Sequence, residues 1–127
     1  MITIPVSLGE VIDKLTILDI KKTKITDIDK LKHIQREFDE LSKLTESYLQ
    51  DKKLKILYSE LIEINYSLWK IEDSLRDLER EKRFDDKFIG LAREVYYTND
   101  ERFRIKNKIN LISNSEIQEQ KSYKEYK

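Results

Sequence analysis

The chain has 127 residues, of which 39% are charged, and its 25 basic and 25 acidic side chains give a formal net charge of zero. The lack of cysteine excludes disulfides, a thiol nucleophile and a cysteine-ligated metal, and the balanced charge argues against a nucleic-acid binder, which needs a basic surplus or patch. Because no apolar run approaches the roughly 20 residues of a membrane span and no basic signal-peptide region is visible, we expect a cytoplasmic protein without membrane contact.

The first predicted elements are a short arm and a helix. Pro5 disfavours helix in the residue before it, so residues 1–6 are expected to be extended. Ser7 and Glu10 have the spacing of a capping box, which predicts a helix running to about Lys24. The apolar residues of this helix cover more than one stripe, and we therefore expect it to lie well inside a helical bundle.

The second predicted helix follows a cap at Thr26 or Asp27 and ends before a turn around Gln50–Asp51. Its apolar residues recur at helical spacing and indicate that one face packs against the rest of the bundle. This predicted seam consists of Ile28, Leu31, Ile34, Phe38, Leu41 and Leu44.

The third predicted helix, ending near Lys82, carries the most regular pattern of the chain. Eight apolar residues alternate at spacings of three and four, which is typical of a helix in a left-handed bundle. They are Leu54, Leu57, Leu61, Ile64, Leu68, Ile71, Leu75 and Leu78. A second apolar flank indicates a homo-oligomer that assembles through this helix; it consists of Tyr58, Ile62, Tyr66 and Trp69.

The fourth predicted helix begins after a cap at Asp85 and repeats the alternation from Phe88 to Ile112, with two polar members, Thr98 and Arg102. Two alternatives remain: one long helix with a polar layer, or a break at residues 98–100 with Asn99 capping a fifth helix. The sequence therefore predicts an all-α antiparallel bundle of four or five long helices. The predicted bundle domain covers residues 1–115 and is followed by a polar tail at 116–127.

Several segments together resemble a bacterial family of about 130-residue helical proteins known only as a domain of unknown function. The segments are residues 6–18, 68–73, 97–102, 109–110 and 119–123. The resemblance spans nearly the whole chain and brings no assigned active-site residue with it.

Arg102 is the centre of the candidate site, because a guanidinium on a buried seam is costly unless an anion pairs with it. The anion could be a carboxylate of the first helix, with Glu10, Asp13 and Asp19 as candidates. It could instead be the carboxylate or phosphate of a ligand, for which arginine offers two parallel donors; as a third alternative, the side chain reaches outward to solvent. The predicted ligand-binding cluster is Arg93, Tyr96, Tyr97, Thr98, Asn99, Arg102 and Arg104.

The three carboxylates of the first helix allow a second interpretation. Glu10, Asp13 and Asp19 lie on a helix too apolar to be a solvated surface element. Burial raises the pKa of a carboxyl group and fits it for general-acid or metal chemistry. The structural alternative is helix capping by Glu10 and ion pairing by the other two.

Two enzyme-like patterns are weaker. Glu37 with Glu40, and Glu60 with Glu63, have the one-turn spacing seen in helical magnesium-dependent nucleotide pyrophosphatases, but Glu40 and Glu63 are predicted to face outward. The opening of the first helix is similar to that of helical chorismate mutases, yet Gly9 stands where their substrate-binding arginine is expected.

His33 is the only histidine, so a histidine metal cluster and a Ser-His-Asp triad are both excluded. The sequence favours a non-enzymatic helical homo-oligomer that binds a small anionic ligand, possibly a nucleotide, or a protein partner between helices, without metal or cofactor. The alternative is a small all-α enzyme of the chorismate-mutase or nucleotide-pyrophosphatase kind.

Overall fold

The computed structural model describes residues 1–113, which form four α-helices and a short 3₁₀ helix and contain no strand. The elements are α1 (Leu8–Lys24), α2 (Ile28–Thr45), the 3₁₀ helix (Tyr48–Gln50), α3 (Lys52–Arg80) and α4 (Asp86–Ser113). The predicted all-α bundle is confirmed. The predicted tail at 116–127 lies outside the described residues.

The residue before each α-helix caps it. Its side chain accepts a hydrogen bond from a backbone amide of the first turn, and that amide would otherwise lack a partner. Ser7, Asp27, Asp51 and Asp85 accept from the amides of Glu10, Lys30, Lys53 and Phe88 at 3.2, 3.0, 2.8 and 3.3 Å, respectively. The caps predicted at Ser7, Asp27 and Asp85 are confirmed.

The turn between α3 and α4 reverses the chain within a few residues. Lys82 has a left-handed backbone with φ of 54°, and the amide of Arg83 donates to the carbonyl of Leu78 at 2.9 Å. This is the hydrogen-bond pattern of a Schellman end. The reversal lays α4 antiparallel along α3.

The core is formed by α1, α3 and α4. Ile12, Leu61 and Ile109 are completely buried and come from these three helices. Six of the eight residues in the α3 series are buried, and Ile64 and Leu75 are half-buried. The predicted position of the first helix inside the bundle is confirmed, because α1 contacts α2, α3 and α4.

Three seam predictions are wrong. Ile28 and Leu44 are exposed because α2 packs mainly against α1, so no second helix covers its two ends. Ile112 is also exposed, since it lines a gap between the last turns of α4 and the first turns of α3.

The structure shows one long fourth helix without the break that the sequence left open. Residues 98–100 lie within the continuous helix α4, so Asn99 does not cap a fifth helix. Arg102, one turn further on, therefore lies on the same helix and pairs with Asp13 of α1.

Candidate functional site

Four polar side chains meet in the middle of the bundle, and we call them the polar layer: Asp13 and Thr16 of α1, Asn65 of α3, and Arg102 of α4. Arg102 donates from Nε to Oδ1 of Asp13 at 2.8 Å and from Nη2 to Oδ2 at 2.5 Å. Asn65 donates from Nδ2 to Oδ1 of Asp13 at 2.9 Å and to Oγ1 of Thr16 at 2.7 Å. The polar layer therefore joins three helices.

The charges of the polar layer are unequally buried. The side chain of Asp13 is 3% exposed and that of Arg102 is 28% exposed. A carboxylate so deeply buried is stable only when several donors satisfy it. The two parallel bonds from the guanidinium and the third from Asn65 meet this need.

Two further contacts join the first turn of α1 to the C-terminal part of α4. The amide of Gly9 donates to Oδ1 of Asn110 at 2.7 Å, and Nζ of Lys106 lies 2.9 Å from Oε2 of Glu10. A Cβ atom on Gly9 would come within 2.5 Å of the carbonyl oxygen of Lys106. Glycine is therefore required where the two backbones approach, and an arginine side chain at this position has no room.

Asp19, the third predicted carboxylate, lies apart from the polar layer. It lines a groove between α1 and α3 with a volume of about 320 Å³, together with Ile20, Thr23, Ile62, Glu63 and Tyr66. Burial of the Tyr58 ring, helped by the nearby Asp19 charge, raises the pKa of Tyr58 to about 12. The charge of Asp19 thus acts on the hydroxyl of Tyr58.

The predicted ligand cluster is divided between two faces of α4. Arg93 donates from Nη2 to the hydroxyl of Tyr97 at 3.0 Å, and the rings of Tyr96 and Tyr97 lie 5.0 Å apart. Hydrogen bonds with these two tyrosines raise the pKa of Arg93. Arg102 points instead towards α1, so it and Arg93 face different surroundings.

The remaining members of the predicted cluster differ in their exposure. Thr98 and Asn99 are half-buried, and Arg104 is exposed.

The sequence analysis missed Asn65, which the structure places at the centre of the polar layer. Asn65 lies four residues after Leu61 and three before Leu68, so it occupies core spacing in its own right. A polar residue at core spacing is a candidate partner for a buried carboxylate such as that of Asp13, and this signal would have identified Asn65. Thr16 and Asn110 lacked a comparable signal, since their roles depend on how the helices cross.

A second feature lies at the end of the bundle where α1 and α3 begin and α4 ends. A groove of about 350 Å³ separates the first turns of α3 from the last turns of α4. We call it the basic groove, because two lysines flank its apolar lining. The lining residues are Lys53, Ile56, Leu57, Lys108, Leu111 and Ile112.

The acidic pairs suggested by the sequence are spread over the surface. Glu37 forms an ion pair with Lys14 at 2.9 Å, and Glu40 lies 3.7 Å from Arg36. Within residues 1–113, no three acidic or histidine side chains converge in a way that could hold a metal ion.

None of the helices in this same part of the chain combines the length and apolarity of a membrane span. The cytoplasmic location stays a prediction.

Comparison with known proteins gives a family but no activity. No curated protein and no solved structure matches the chain. A family model described as a family of unknown function (DUF6165) matches residues 2–126. The match covers almost the whole chain and confirms the resemblance inferred from the sequence segments. The chain therefore belongs to the DUF6165 family, whose function is unknown.

Proposed function

We propose that this protein is a non-enzymatic helical module that acts by binding another polypeptide through the basic groove. The partner that we propose is a second copy of the same chain. One observation carries the proposal. Ile56, Leu111 and Ile112 are 59%, 60% and 42% exposed, and all three line this one groove. Clustered exposed apolar side chains often mark a protein interface.

The energetic argument rests on the water-exposed area of these side chains. Full burial of one isoleucine or leucine side chain contributes about 1.5–3 kcal/mol. Three partly exposed side chains on each copy would therefore contribute several kcal/mol to association. The methylene stems of Lys53 and Lys108 add apolar area while their ammonium groups stay in water.

Two other sites are weaker candidates for binding a partner. The guanidinium of Arg102 already gives two hydrogen bonds to Asp13, which fits a structural role. On the α3 flank predicted as an interface, Tyr58 and Ile62 are half-buried, and Ile62 lines the groove shared with α1. Less apolar area remains there for a second copy.

The test compares Leu111→Lys with Ile89→Lys. Both residues lie on α4 with similar exposure, 60% and 53%, but Ile89 lies at the opposite end of the helix. In light scattering at tens of micromolar, we expect Leu111→Lys to lower the mass towards 15.4 kDa, while Ile89→Lys keeps the wild-type mass. Equal masses for the two variants would overturn the proposed interface.

A second candidate function is binding of a small anionic ligand, possibly a nucleotide, on α4. The supporting observation is the exposed guanidinium of Arg93 beside the paired rings of Tyr96 and Tyr97. Such rings can stack on a base while an arginine binds phosphate. A nucleotide that raises the melting temperature of the wild type but not of Arg93→Gln would support it. Equal shifts in both proteins would contradict it.

A further inference from the structure

We infer that the N-terminal arm of one copy, residues 1–6, lies in the basic groove of a second copy, and that the exchange is reciprocal. This inference rests on the proposed function, because it names the segment that fills the same groove.

The arm is the most exposed apolar part of the described chain. Met1, Ile2, Ile4 and Val6 are all exposed, and Ile2 retains 89% of its accessible surface. The arm belongs to no helix or strand. Its apolar side chains thus lack the cover that the core gives to apolar residues of α1 such as Ile12 and Leu15.

The arm and the groove lie at the same end of the bundle. The amide of Gly9, two residues after Ser7, is bonded to Asn110, and Asn110 directly precedes Leu111 of the groove wall. The C-terminal end of the arm is therefore close to the groove of its own copy. When two copies meet at this end, each arm has only a short distance to cross.

The chemistry of the arm matches that of the groove. Residues 2–6 carry no charged side chain, so no side-chain charge would enter the apolar lining. Six extended residues span about 20 Å at 3.3 Å per residue, which is longer than the groove wall from Lys108 to Ile112. Ile4, near the middle of the arm, is the side chain that we place between Ile56 and Leu111.

Reciprocal exchange also sets the symmetry of the assembly. Each copy contributes one arm and one groove, and the two contacts are equivalent when a two-fold axis relates the copies. Such an interface closes on itself and gives a dimer rather than a filament. Each copy then covers seven exposed apolar side chains: Met1, Ile2, Ile4, Val6, Ile56, Leu111 and Ile112.

The test uses the lack of native cysteine, so that every disulfide joins two introduced cysteines. Ile4→Cys protein is mixed with isotope-labelled Leu111→Cys protein, oxidised under mild conditions, digested and analysed by mass spectrometry. The control is Ile4→Cys mixed with labelled Ile89→Cys. We expect a disulfide between residues 4 and 111 of different copies, at least ten times more abundant than the control product.

Two results would overturn the inference. One is a yield of the mixed disulfide no higher than that of the control. The other is rapid closure of the disulfide within single copies of an Ile4→Cys/Leu111→Cys double variant at high dilution, which would place the arm in its own groove.

A variant that lacks residues 2–6 distinguishes failure of this inference from failure of the proposed function. Under arm exchange, the truncated protein dimerises at least ten-fold more weakly than the wild type. If the truncated protein dimerises as well as the wild type while Leu111→Lys remains a monomer, the groove is still the interface but the arm does not fill it.

Discussion

Arg102 and Asp13 join α4 to α1 by two hydrogen bonds, and the carboxylate that receives them is almost wholly buried. We expect Arg102→Ala to lower the free energy of unfolding by about 3 kcal/mol, because it leaves this charge without its main partner. Urea denaturation checks the value, with the exposed Arg104→Ala as control within about 0.5 kcal/mol of wild type. A loss no larger than that of the control would remove Arg102 from the structural account.

The two glycines of the chain give opposite predictions. Gly9→Ala forces a Cβ to within 2.5 Å of the Lys106 carbonyl oxygen, whereas nothing lies within 4 Å of a Cβ at position 90. Overpacking at Gly9 is expected to cost about 1–3 kcal/mol. Gly90→Ala should instead stabilise α4 by up to about 1 kcal/mol through helix propensity. Thermal melts of the two variants that shift in the same direction would contradict the close packing of α1 on α4.

Tyr58 makes stability depend on pH in the alkaline range. Its pKa is raised to about 12 by burial and then by the charge of Asp19, while an unfolded tyrosine titrates near 10. The stabilisation is complete below pH 10, and it is lost as the pH rises from 10 to 12, because the unfolded chain releases its proton first.

Since water still reaches part of the Tyr58 ring, the loss should stay below about 2 kcal/mol. Urea denaturation across this range should show a smaller decline for Tyr58→Phe than for the wild type. A tyrosinate absorbance titration should show that the group titrating near pH 12 is missing from the variant. Identical titrations of the two proteins would contradict the burial of this hydroxyl.

At the scale of helices, much of the fold could be predicted from local sequence. The cap at Asp27 and the 3-4 alternation of α3 depend on residues close in the chain, so their signals survive without knowledge of the fold. The exposure of Ile28 and Leu44 could not be predicted, because it depends on which helices cover the ends of α2. For the same reason, Arg102 could be recognised as needing an anion, while the choice of Asp13 over Glu10 and Asp19 required the helix crossing.

The two faces of α3 should respond differently to truncation. Leu61 is completely buried among α1, α3 and α4, whereas Ile56 is 59% exposed in the basic groove. Leu61→Ala is expected to cost about 2–5 kcal/mol of unfolding free energy. At protein concentrations low enough to keep the chain monomeric, Ile56→Ala should cost under about 1 kcal/mol. Similar losses in urea denaturation would show that Ile56 is not a surface residue.

At the scale of the molecule, stability and association are assigned to different places. The polar layer fixes how α1, α3 and α4 meet, and the end of the bundle formed by the first turns of α3 and the last turns of α4 carries the exposed apolar surface. The sequence predicts association through the Tyr66 flank of α3, which stays a prediction, whereas we propose association through the basic groove. The basic groove was not foreseen, because it exists only where the ends of two distant helices leave a gap between them.

The measurement that tests self-association most directly is the mass of the wild-type protein by sedimentation equilibrium over a range of concentrations. The account predicts a mass that rises with concentration from 15.4 kDa towards twice that value, and a Tyr66→Lys variant that follows the wild type. A constant mass of 15.4 kDa up to tens of micromolar would contradict the claim that the basic groove joins two copies.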